Sequence, residues 1–432
     1  MPCPRLPFEL LEDIFFHLQP SSSNALPIDL LACSLVDTTW HSAAGALIPS
    51  RILKNLLHHK LYTEAELARL AHILAISRDL GVDYAGQVRI ITVDCTALPF
   101  SEPDPKAQDS LFVLSLMSIF AVCTHLHTLH IVTPGFYHQV RHELLRSLLL
   151  RMRNHNYNLS GLVLTGDGYW EDLSFGPDLA SLIARSSRTL RRIDTDAVVH
   201  GPSGPVHAAL SRCNGIRALR VRTASGAGLV SLALRWPLLE SLAFYIHAAS
   251  DLARVLAGLP LGLRRLRVGL ARGCGVRKAA GALHELAGKC LGVTHLTVRH
   301  QRRHDGVIDD GFLALLGRTA SGLKRLDLSG CGGVTGKGVV VGWSELRYLN
   351  ISGCPVVPEF VEEVLQQCAK LRVICVGCGG EDPFASSLVT RGFEHSGFGK
   401  WARTGEGIAE DDKDLKSDDL FWNFFEEGDD EN

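Results

Sequence analysis

No stretch of the 432-residue sequence stays apolar for the roughly 18 to 20 residues that a membrane-spanning helix requires. The longest apolar candidate, residues 111–123, is too short, and the N-terminus lacks the charged, apolar and small-residue order of a secretory signal. We therefore expect no membrane partner and a cytoplasmic or nuclear protein. In that setting the twelve cysteines predict reduced thiols, not a disulfide framework.

Signs of catalysis are also scarce. The nineteen histidines show neither an HExxH motif nor paired Cys/His ligand spacing. Cys375 and Cys378 make a single CxxC pair without a second pair, and the segment around Gly336 and Lys337 lacks the first glycine and the Ser/Thr of a phosphate-binding loop. We predict a protein that is not an enzyme and that needs no metal and no cofactor.

Neither sign of charge dominates, since 44 basic residues face 46 acidic ones. The acidic residues are unevenly placed, because residues 405–432 hold twelve of them against only Lys413 and Lys416. This composition predicts a disordered acidic tail on a mildly basic body that favours acidic partners. Nucleic acid is the rival partner, but near-neutral total charge and the absence of a recognised binding motif argue against it.

One spacing of apolar residues recurs along most of the chain: apolar, two residues, apolar, one residue, apolar. The spacing predicts a short strand in each copy, and segments such as residues 251–258 and 360–368 have room for about two turns of helix. One strand and one helix do not bury their own apolar face, so the units are expected to stack into a solenoid. Chance triplets in a leucine-rich sequence are the alternative. The eleven copies begin at Val88, Leu126, Leu159, Leu190, Ile216, Leu239, Leu263, Val293, Leu323, Leu346 and Leu371.

Two late copies, residues 323–331 and 346–354, continue the triplet with Ser-Gly-Cys. They resemble the cysteine-containing leucine-rich repeats typical of F-box proteins. The resemblance implies an α/β fold, a right-handed horseshoe solenoid of about eleven repeats. It also implies that the cysteines take buried turn positions, which suits a small apolar side chain and needs no metal or redox role.

The N-terminal segment has three helical patterns within about fifty residues, beginning with an amphipathic pattern over residues 6–18. It resembles an F-box, most closely of the fungal type, which implies docking on the Skp adaptor of a cullin-based ubiquitin ligase. The sequence leaves open which matching positions form the interface and which support it, and a helical cap on the solenoid without an adaptor is the alternative. The matching adaptor-binding positions are Leu6, Pro7, Leu10, Ile14, Leu31, Leu35 and Trp40.

Four segments follow from these patterns. A short all-α F-box is predicted at residues 1–53, leucine-rich repeats at 87–380 and the disordered acidic tail at 381–432. Between the first two, Thr63 and Glu66 form a possible capping box for a linker helix within residues 54–86, with Gly81 at its exit.

Arginines recur beside the second and third apolar positions of the triplets, where alternation places side chains on the concave face of the sheet. They predict a positive stripe, offset by Asp194 and Asp327, that binds an acidic or phosphorylated protein substrate. A solvated face without a ligand is the alternative. The predicted substrate-binding residues are Arg192, Arg220, Arg222, Arg265, Arg267, Arg299 and Arg325.

An acidic aromatic motif in the tail, residues 420–425, suggests a weak internal competitor for this groove, with plain disorder as the alternative. The function implied by these resemblances is that of a non-catalytic substrate receptor, which raises the concentration of a bound protein near a ubiquitin-loaded partner. A leucine-rich-repeat interaction scaffold that recruits no ligase is the alternative.

Overall fold

The computed structural model divides the chain into two compact units, Met1–Leu263 and Arg264–Asn432. The acidic segment 405–432 lies outside the residues that the structure describes. The structure describes residues 10–11, 14, 28–36, 40–41, 44, 55–56, 64–94, 111–133, 148–150, 152, 158–166, 176–195, 204–221, 226–246, 248–271, 274, 276–300, 307–377, 383–396 and 399–403.

In the first unit, α1 (Ile28–Cys33) packs on the linker helix α2 (Glu64–Asp79). An ion pair joins α1 to α2, with 2.7 Å between the Asp29 carboxylate and the Arg69 guanidinium. Beyond α2, the chain reverses at Gly81, whose φ of +77° suits a residue without a Cβ atom. A helix followed by Gly81 thus lies where the sequence predicts one, its role as a linker stays a prediction, and Thr63 lies outside the described residues.

The described strands of the first unit form one parallel sheet in chain order, with each strand beside the next. The second apolar residues of successive triplets lie directly opposite one another, as in Leu129, Leu162 and Ile193. Because all of these side chains are buried, each repeat extends the core of the one before it. The strands are β1 (Asn55–Leu56), β2 (Ile90–Asp94), β3 (Thr128–Thr133), β4 (Gly161–Gly166), β5 (Arg192–Thr195), β6 (Ala218–Val221) and β7 (Ser241–Ile246).

Helices connect most of these strands and bury one apolar face each. In α5 (Gly176–Arg185) the buried face includes Leu179, Leu182 and Ile183, at the i, i+3 and i+4 spacing of an amphipathic helix. Burying one such side chain stabilises the fold by roughly 1.5 to 3 kcal/mol. The helices of the first unit that follow α2 are α3 (Tyr84–Gln87), α4 (Leu111–Val122), α5 (Gly176–Arg185), α6 (Pro205–Leu210), α7 (Gly226–Ala233) and α8 (Ala249–Ala257).

The second unit repeats the same plan. Its parallel strands align the second apolar residues of their triplets in one buried row, formed by Leu266, Leu296, Leu326, Leu349 and Ile374. All eleven predicted triplets, in the two units together, therefore produce a strand that starts two residues after the first apolar position. The elements are β8 (Arg265–Leu270), α9 (Val276–Lys289), β9 (His295–His300), α10 (Asp310–Thr319), β10 (Arg325–Asp327), β11 (Tyr348–Asn350), α11 (Pro358–Gln367) and β12 (Val373–Cys375).

One connection in the second unit has no helix. Residues 328–347, all of which the structure describes, cross from β10 to β11 through turns and extended chain. This segment approaches α10 so closely that a Cβ atom on Gly342 would lie 2.2 Å from the carbonyl oxygen of Gly317. Because Gly317 and Gly342 have no side chains, the backbone of this segment packs directly on α10 in place of a connecting helix.

The predicted repeat cysteines link neighbouring repeats. The thiol of Cys331 lies 3.7 Å from the Val298 carbonyl oxygen, and that of Cys354 lies 3.1 Å from the Leu328 carbonyl oxygen. Cys331 is buried as predicted, while Cys354 is half-buried; Cys368, just before the triplet at Leu371, is also buried. Burial raises the pKa of Cys368 to about 12, so that thiol stays protonated and unreactive.

The end of the second unit corrects one prediction. Residues 381–432 were expected to be disordered, yet α12 (Ala385–Thr390), β13 (Phe393–His395) and β14 (Lys400–Arg403) are ordered, with β14 antiparallel to β12. Phe384, Leu388, Phe393 and Trp401 are buried there. The hairpin covers the unpaired edge that β12 would otherwise expose, which is a physical reason for this cap. The acidic composition that suggested disorder belongs to the later residues 405–432.

Candidate functional site

The predicted arginines that the structure describes lie on the side of the strands that turns away from the core. In β6, for example, Leu219 and Val221 are buried, while Ala218 before them and Arg220 between them are partly exposed. Every strand side chain that precedes, separates or follows the inner apolar pair takes this outward direction. The strands therefore display these side chains as a row across neighbouring repeats.

In the first unit the row surrounds a buried carboxylate. The Nε atom of Arg220 lies 2.8 Å from one oxygen of Asp194, and an Nη atom of Arg192 lies 3.4 Å from the other. Asp194 is only 2% exposed. Two of the three predicted cations in this unit thus neutralise an internal charge, and the third, Arg222, lies outside the described residues.

In the second unit Asp327 occupies a similar position. Its carboxylate accepts hydrogen bonds from the Arg299 guanidinium at 3.1 Å and from the Ser329 backbone N–H at 3.1 Å. Burial acts to raise the pKa of Asp327, but Arg299, the Ser329 amide and Arg325 together lower it below its ordinary value. Asp327 therefore remains a charged anchor between two arginines.

An aromatic residue that the sequence reasoning missed extends this arrangement. The guanidinium carbon of Arg325 lies 4.3 Å from the centre of the Tyr348 ring, a cation–π contact. The Tyr348 hydroxyl lies 3.7 Å from the sulfur of Cys375 on the next strand. Burial raises the pKa of Tyr348, so the hydroxyl stays neutral. Its place just before the second apolar position of a triplet was the available sequence signal.

Five cations share the outward side of the second unit's sheet, and we call them the basic strand face. Arg265 is exposed and Arg267 is partly exposed on β8, and Lys400 lies beside Cys375 on the terminal strand β14. The described strands β8 to β14 place two carboxylates among them: Asp327, which is buried, and Glu394, which is exposed on β13 beside β14. Lys400 was missed because it falls in the predicted tail. The members are Arg265, Arg267, Arg299, Arg325 and Lys400.

A second basic group lies at the edge where the strands of the second unit begin. A cavity of about 310 Å³ is lined there by Arg347, Ala369, Lys370, Arg372 and Arg403. The sequence signal was a basic residue directly after the first apolar position, as in Arg347 after Leu346 and Arg372 after Leu371. Only the hairpin at the end of the unit adds Arg403. We call this group the basic cavity.

The predicted adaptor-binding residues divide by exposure. Leu10 and Ile14 are 50% and 44% exposed, although both are large apolar side chains. Leu31 is fully buried, and Leu35 and Trp40 are half-buried. Leu31 therefore belongs to the supporting core, and Leu10 and Ile14 belong to the surface. Leu6 and Pro7 lie outside the described residues.

The described part of the chain offers little other chemistry. Within it, no group of three or more His, Cys, Asp or Glu side chains is placed to hold a metal ion. No helix among the described residues is long and apolar enough to cross a bilayer. The one close His–carboxylate pair described in the second unit, His284 and Asp309 at 2.9 Å, joins two repeats, and Asp309 also caps α10.

Stacked parallel strands, buried leucine rows and connecting helices give each unit the leucine-rich-repeat fold. No protein-family model matches the sequence, and no curated protein matches it. Among solved structures, the chain is similar to yeast Rad7 in its complex with Elc1, at 15% identity and a TM-score of 0.46, covering 83% of this chain and 94% of that one.

Two further solved structures show weaker similarity. A leucine-rich-repeat protein of Leptospira interrogans is 9% identical with a TM-score of 0.26, covering 68% of this chain and 91% of that chain. The leucine-rich-repeat ectodomain of the Arabidopsis thaliana receptor kinase GASSHO1/SCHENGEN3 is 11% identical with a TM-score of 0.29, covering 69% of this chain and 42% of that chain.

Proposed function

We propose that this protein is the substrate-recognition subunit of a Skp/cullin/F-box ubiquitin ligase. Its N-terminal segment binds the Skp adaptor, and through it the cullin, while the repeats hold a protein substrate. The protein itself supplies no catalytic group and no cofactor; it acts by raising the substrate's concentration near a ubiquitin-loaded partner. The proposed ligase works in the cytoplasm or nucleus, where its thiols remain reduced.

The observation that carries the proposal is the exposure of Leu10 and Ile14 within the F-box-like segment. Large apolar side chains four residues apart on a helix lie on one face, because a helix makes one turn in 3.6 residues. Leu11 and Leu31 nearby are fully buried. The segment therefore buries some of its apolar side chains and presents Leu10 and Ile14 to a partner.

Co-purification of the full-length chain with the Skp adaptor tests the first half of the proposal. We expect wild type to bind and Ile14→Asp to lose most of the binding, because the variant places an unpaired charge in an apolar interface. Leu234→Asp is the matched control, since Leu234 is 69% exposed and lies far along the sequence from the F-box-like segment. The control should bind as wild type does.

The proposal fails if wild type does not bind the adaptor, which leaves a leucine-rich-repeat scaffold without ligase recruitment. It also fails if Ile14→Asp, still folded by circular dichroism, binds as strongly as wild type. Loss of binding in Leu234→Asp as well would indicate that any added charge disrupts the chain, and it would remove the support for an interface at Ile14.

For the substrate, we propose that the basic strand face binds an acidic or phosphorylated protein segment. The support is charge: five cations share this face with two carboxylates, Asp327 and Glu394, and guanidinium groups match carboxylate and phosphate oxygens with paired hydrogen bonds. In the first unit, Asp194 lies beside Arg192 and Arg220, so these two cations and one carboxylate have a net charge of +1, against +3 for the five cations and two carboxylates of the basic strand face. The substrate site is accordingly assigned to the second unit.

A fluorescent decapeptide of glutamates is a direct probe of this face. We expect the Arg265→Glu/Arg267→Glu variant to lose its affinity for the peptide, because two attractive charges become repulsive. The matched control reverses two exposed cations on helices of the same unit, Lys278→Glu/Arg318→Glu, with the same change in net charge. Equal losses in both variants would reveal only a net-charge effect and would exclude the face as a site.

A further inference from the structure

We infer that the basic cavity is a binding site for a phosphate monoester, distinct from the basic strand face. The cavity opens beside the turns that precede β11 and β12, where three arginines and a lysine line a space of about 310 Å³. The inference does not depend on the ligase proposal, because it concerns a site that purified protein displays by itself.

The backbone places the three arginines on neighbouring rungs. The Arg347 carbonyl oxygen accepts hydrogen bonds from the N–H groups of Arg372 and Val373, at 2.8 and 3.1 Å. In turn the Arg372 carbonyl oxygen accepts one from the Arg403 N–H at 2.8 Å. Neighbouring strands lie about 4.8 Å apart, so the three side chains start close together on one edge of the sheet.

One guanidinium is held in place across the cavity. An Nη atom of Arg403 donates to the Ala369 carbonyl oxygen at 3.0 Å, and the guanidinium carbon lies 5.4 Å from the centre of the Phe393 ring. A guanidinium has five N–H donors, and this hydrogen bond occupies one of them. Arg403 is therefore oriented before any ligand arrives, which reduces the entropy lost on binding.

An acidic residue, Glu345, is bonded to one of the cations that line the basic cavity. Lys370 donates to both oxygens of Glu345, at 2.6 and 2.7 Å. The hydrogen bond from Lys370, together with the charges of Arg347 and Lys324, lowers the pKa of Glu345. Glu345 is thus a single carboxylate beside several cations, and it holds the ammonium group that a stronger anion would attract.

A phosphate monoester fits this site better than a carboxylate does. It carries three terminal oxygens and a charge of about −1.5 to −2 near pH 7, so several guanidinium groups bind it together. Arginine clusters with fixed forks are the usual protein partners of such groups. The cavity volume exceeds that of one ion and admits a phosphorylated side chain. A phosphorylated protein segment and free phosphate share this chemistry.

Fluorescence anisotropy with a labelled Gly-Gly-phosphoserine-Gly-Gly peptide tests the site in the full-length protein. We expect the phosphopeptide to bind and the unphosphorylated peptide not to bind. The Arg347→Gln/Arg372→Gln variant should bind at least about tenfold more weakly, the effect of losing a hydrogen bond to a charged group. The matched control, Lys278→Gln/Arg318→Gln, removes two exposed cations from helices of the same unit and should leave affinity unchanged.

Three further readouts make the result specific. Glu345→Gln should strengthen phosphopeptide binding severalfold, because it releases Lys370 and removes a competing anion. Affinity should rise as the pH passes upward through about 6, where the phosphate monoester gains its second charge. Inorganic phosphate should displace the peptide. If phosphate binds with the same dissociation constant as the phosphopeptide, the site is assigned to free phosphate. If phosphate binds more weakly than the phosphopeptide, the site is assigned to a phosphorylated segment.

The inference is wrong if both peptides bind equally, or if neither binds. It is also wrong if the Arg347→Gln/Arg372→Gln variant, with its melting temperature unchanged, binds the phosphopeptide like wild type. A fall in affinity for Glu345→Gln would contradict the assigned competition between Glu345 and the ligand. Each of these outcomes leaves the adaptor test at Ile14 unaffected.

Discussion

The guanidinium of Arg299 on β9 lies 3.1 Å from the buried carboxylate of Asp327 on β10, and the two side chains are 20% and 2% exposed. Arg325, on the same strand as Asp327, is itself buried and stacks on Tyr348. One carboxylate therefore balances two largely buried cations, and the stability of the second unit depends on it.

Removing this carboxylate should destabilise the protein strongly. In Asp327→Asn the isosteric side chain keeps the volume but leaves Arg299 and Arg325 without their counter-charge. We expect the free energy of unfolding to fall by about 3 kcal/mol, as when one partner of a buried ion pair is lost. Urea denaturation followed by circular dichroism measures the change.

The control for this loss is a surface pair. Arg217 and Glu240 lie 3.1 Å apart in the first unit, with side chains 57% and 48% exposed. Glu240→Gln should cost no more than about 1 kcal/mol, because solvent screens exposed pairs. Similar losses in the two variants would contradict the distinction between the buried and the exposed pair.

The same carboxylate predicts a pH dependence of stability. The pKa of Asp327 is lowered from 3.8 in the folded protein, so the folded state holds the charged form more firmly than the unfolded state does. The resulting stabilisation is fully present above about pH 5 and is lost as the pH falls below the unfolded-state value. The stability difference between wild type and Asp327→Asn should therefore narrow between about pH 5 and pH 3 in urea denaturation. If the difference in the free energy of unfolding between wild type and Asp327→Asn widens on acidification, this predicted pH dependence is contradicted.

The helix-free connection predicts an unusual intolerance of alanine. Gly342→Ala would place a Cβ atom 2.2 Å from the Gly317 carbonyl oxygen, and backbone at that place yields only by moving a whole segment. We expect a loss of about 1 to 3 kcal/mol, typical of overpacking, in urea denaturation.

Gly281→Ala in the middle of α9 is the matched control, since a Cβ atom there meets no heavy atom within 4 Å. It should stabilise the protein by about 0.5 to 1 kcal/mol, because alanine loses less conformational freedom than glycine in a helix. The two Gly→Ala variants should thus change the free energy of unfolding in opposite directions. Equal losses of stability in both variants would argue against the close packing at Gly342.

The buried thiols should resist alkylation in the native protein. Burial raises the pKa of Cys213 to about 11 and of Cys290 to about 12, so little thiolate is present at neutral pH, and neither sulfur is accessible. Iodoacetamide labelling with peptide mass spectrometry should modify both only when denaturant is added. Rapid labelling of either residue in the native protein would show that its repeat opens.

Much of the fold could be predicted from the sequence because leucine-rich repeats carry their pattern locally. The triplet at Leu346, Leu349 and Ile351 requires burial of alternate strand side chains. Each further copy has the same requirement and follows at a similar distance along the sequence. The terminal hairpin could not be predicted in this way. Its strands are short, and Trp401 is buried only because β12 lies beside it.

The substrate and adaptor surfaces were predictable only as sets of candidate residues. The F-box-like pattern contains both Leu31 and Ile14, and nothing local distinguishes a side chain that fills a core from one that faces a partner. Exposure separates them: Leu31 is fully buried and Ile14 is 44% exposed. Their roles in adaptor binding remain predictions.

The sequence by itself determined the repeat count, the strand positions and the direction in which the arginines point, because these follow from the period of side chains along one strand. Only the tertiary structure decided which charges are available to a ligand. Asp194 meets Arg220, and Arg403 joins Arg347 and Arg372, through contacts between repeats roughly twenty to thirty residues apart along the chain. Electrostatic energy depends on distance in space, and stacking of repeats sets that distance.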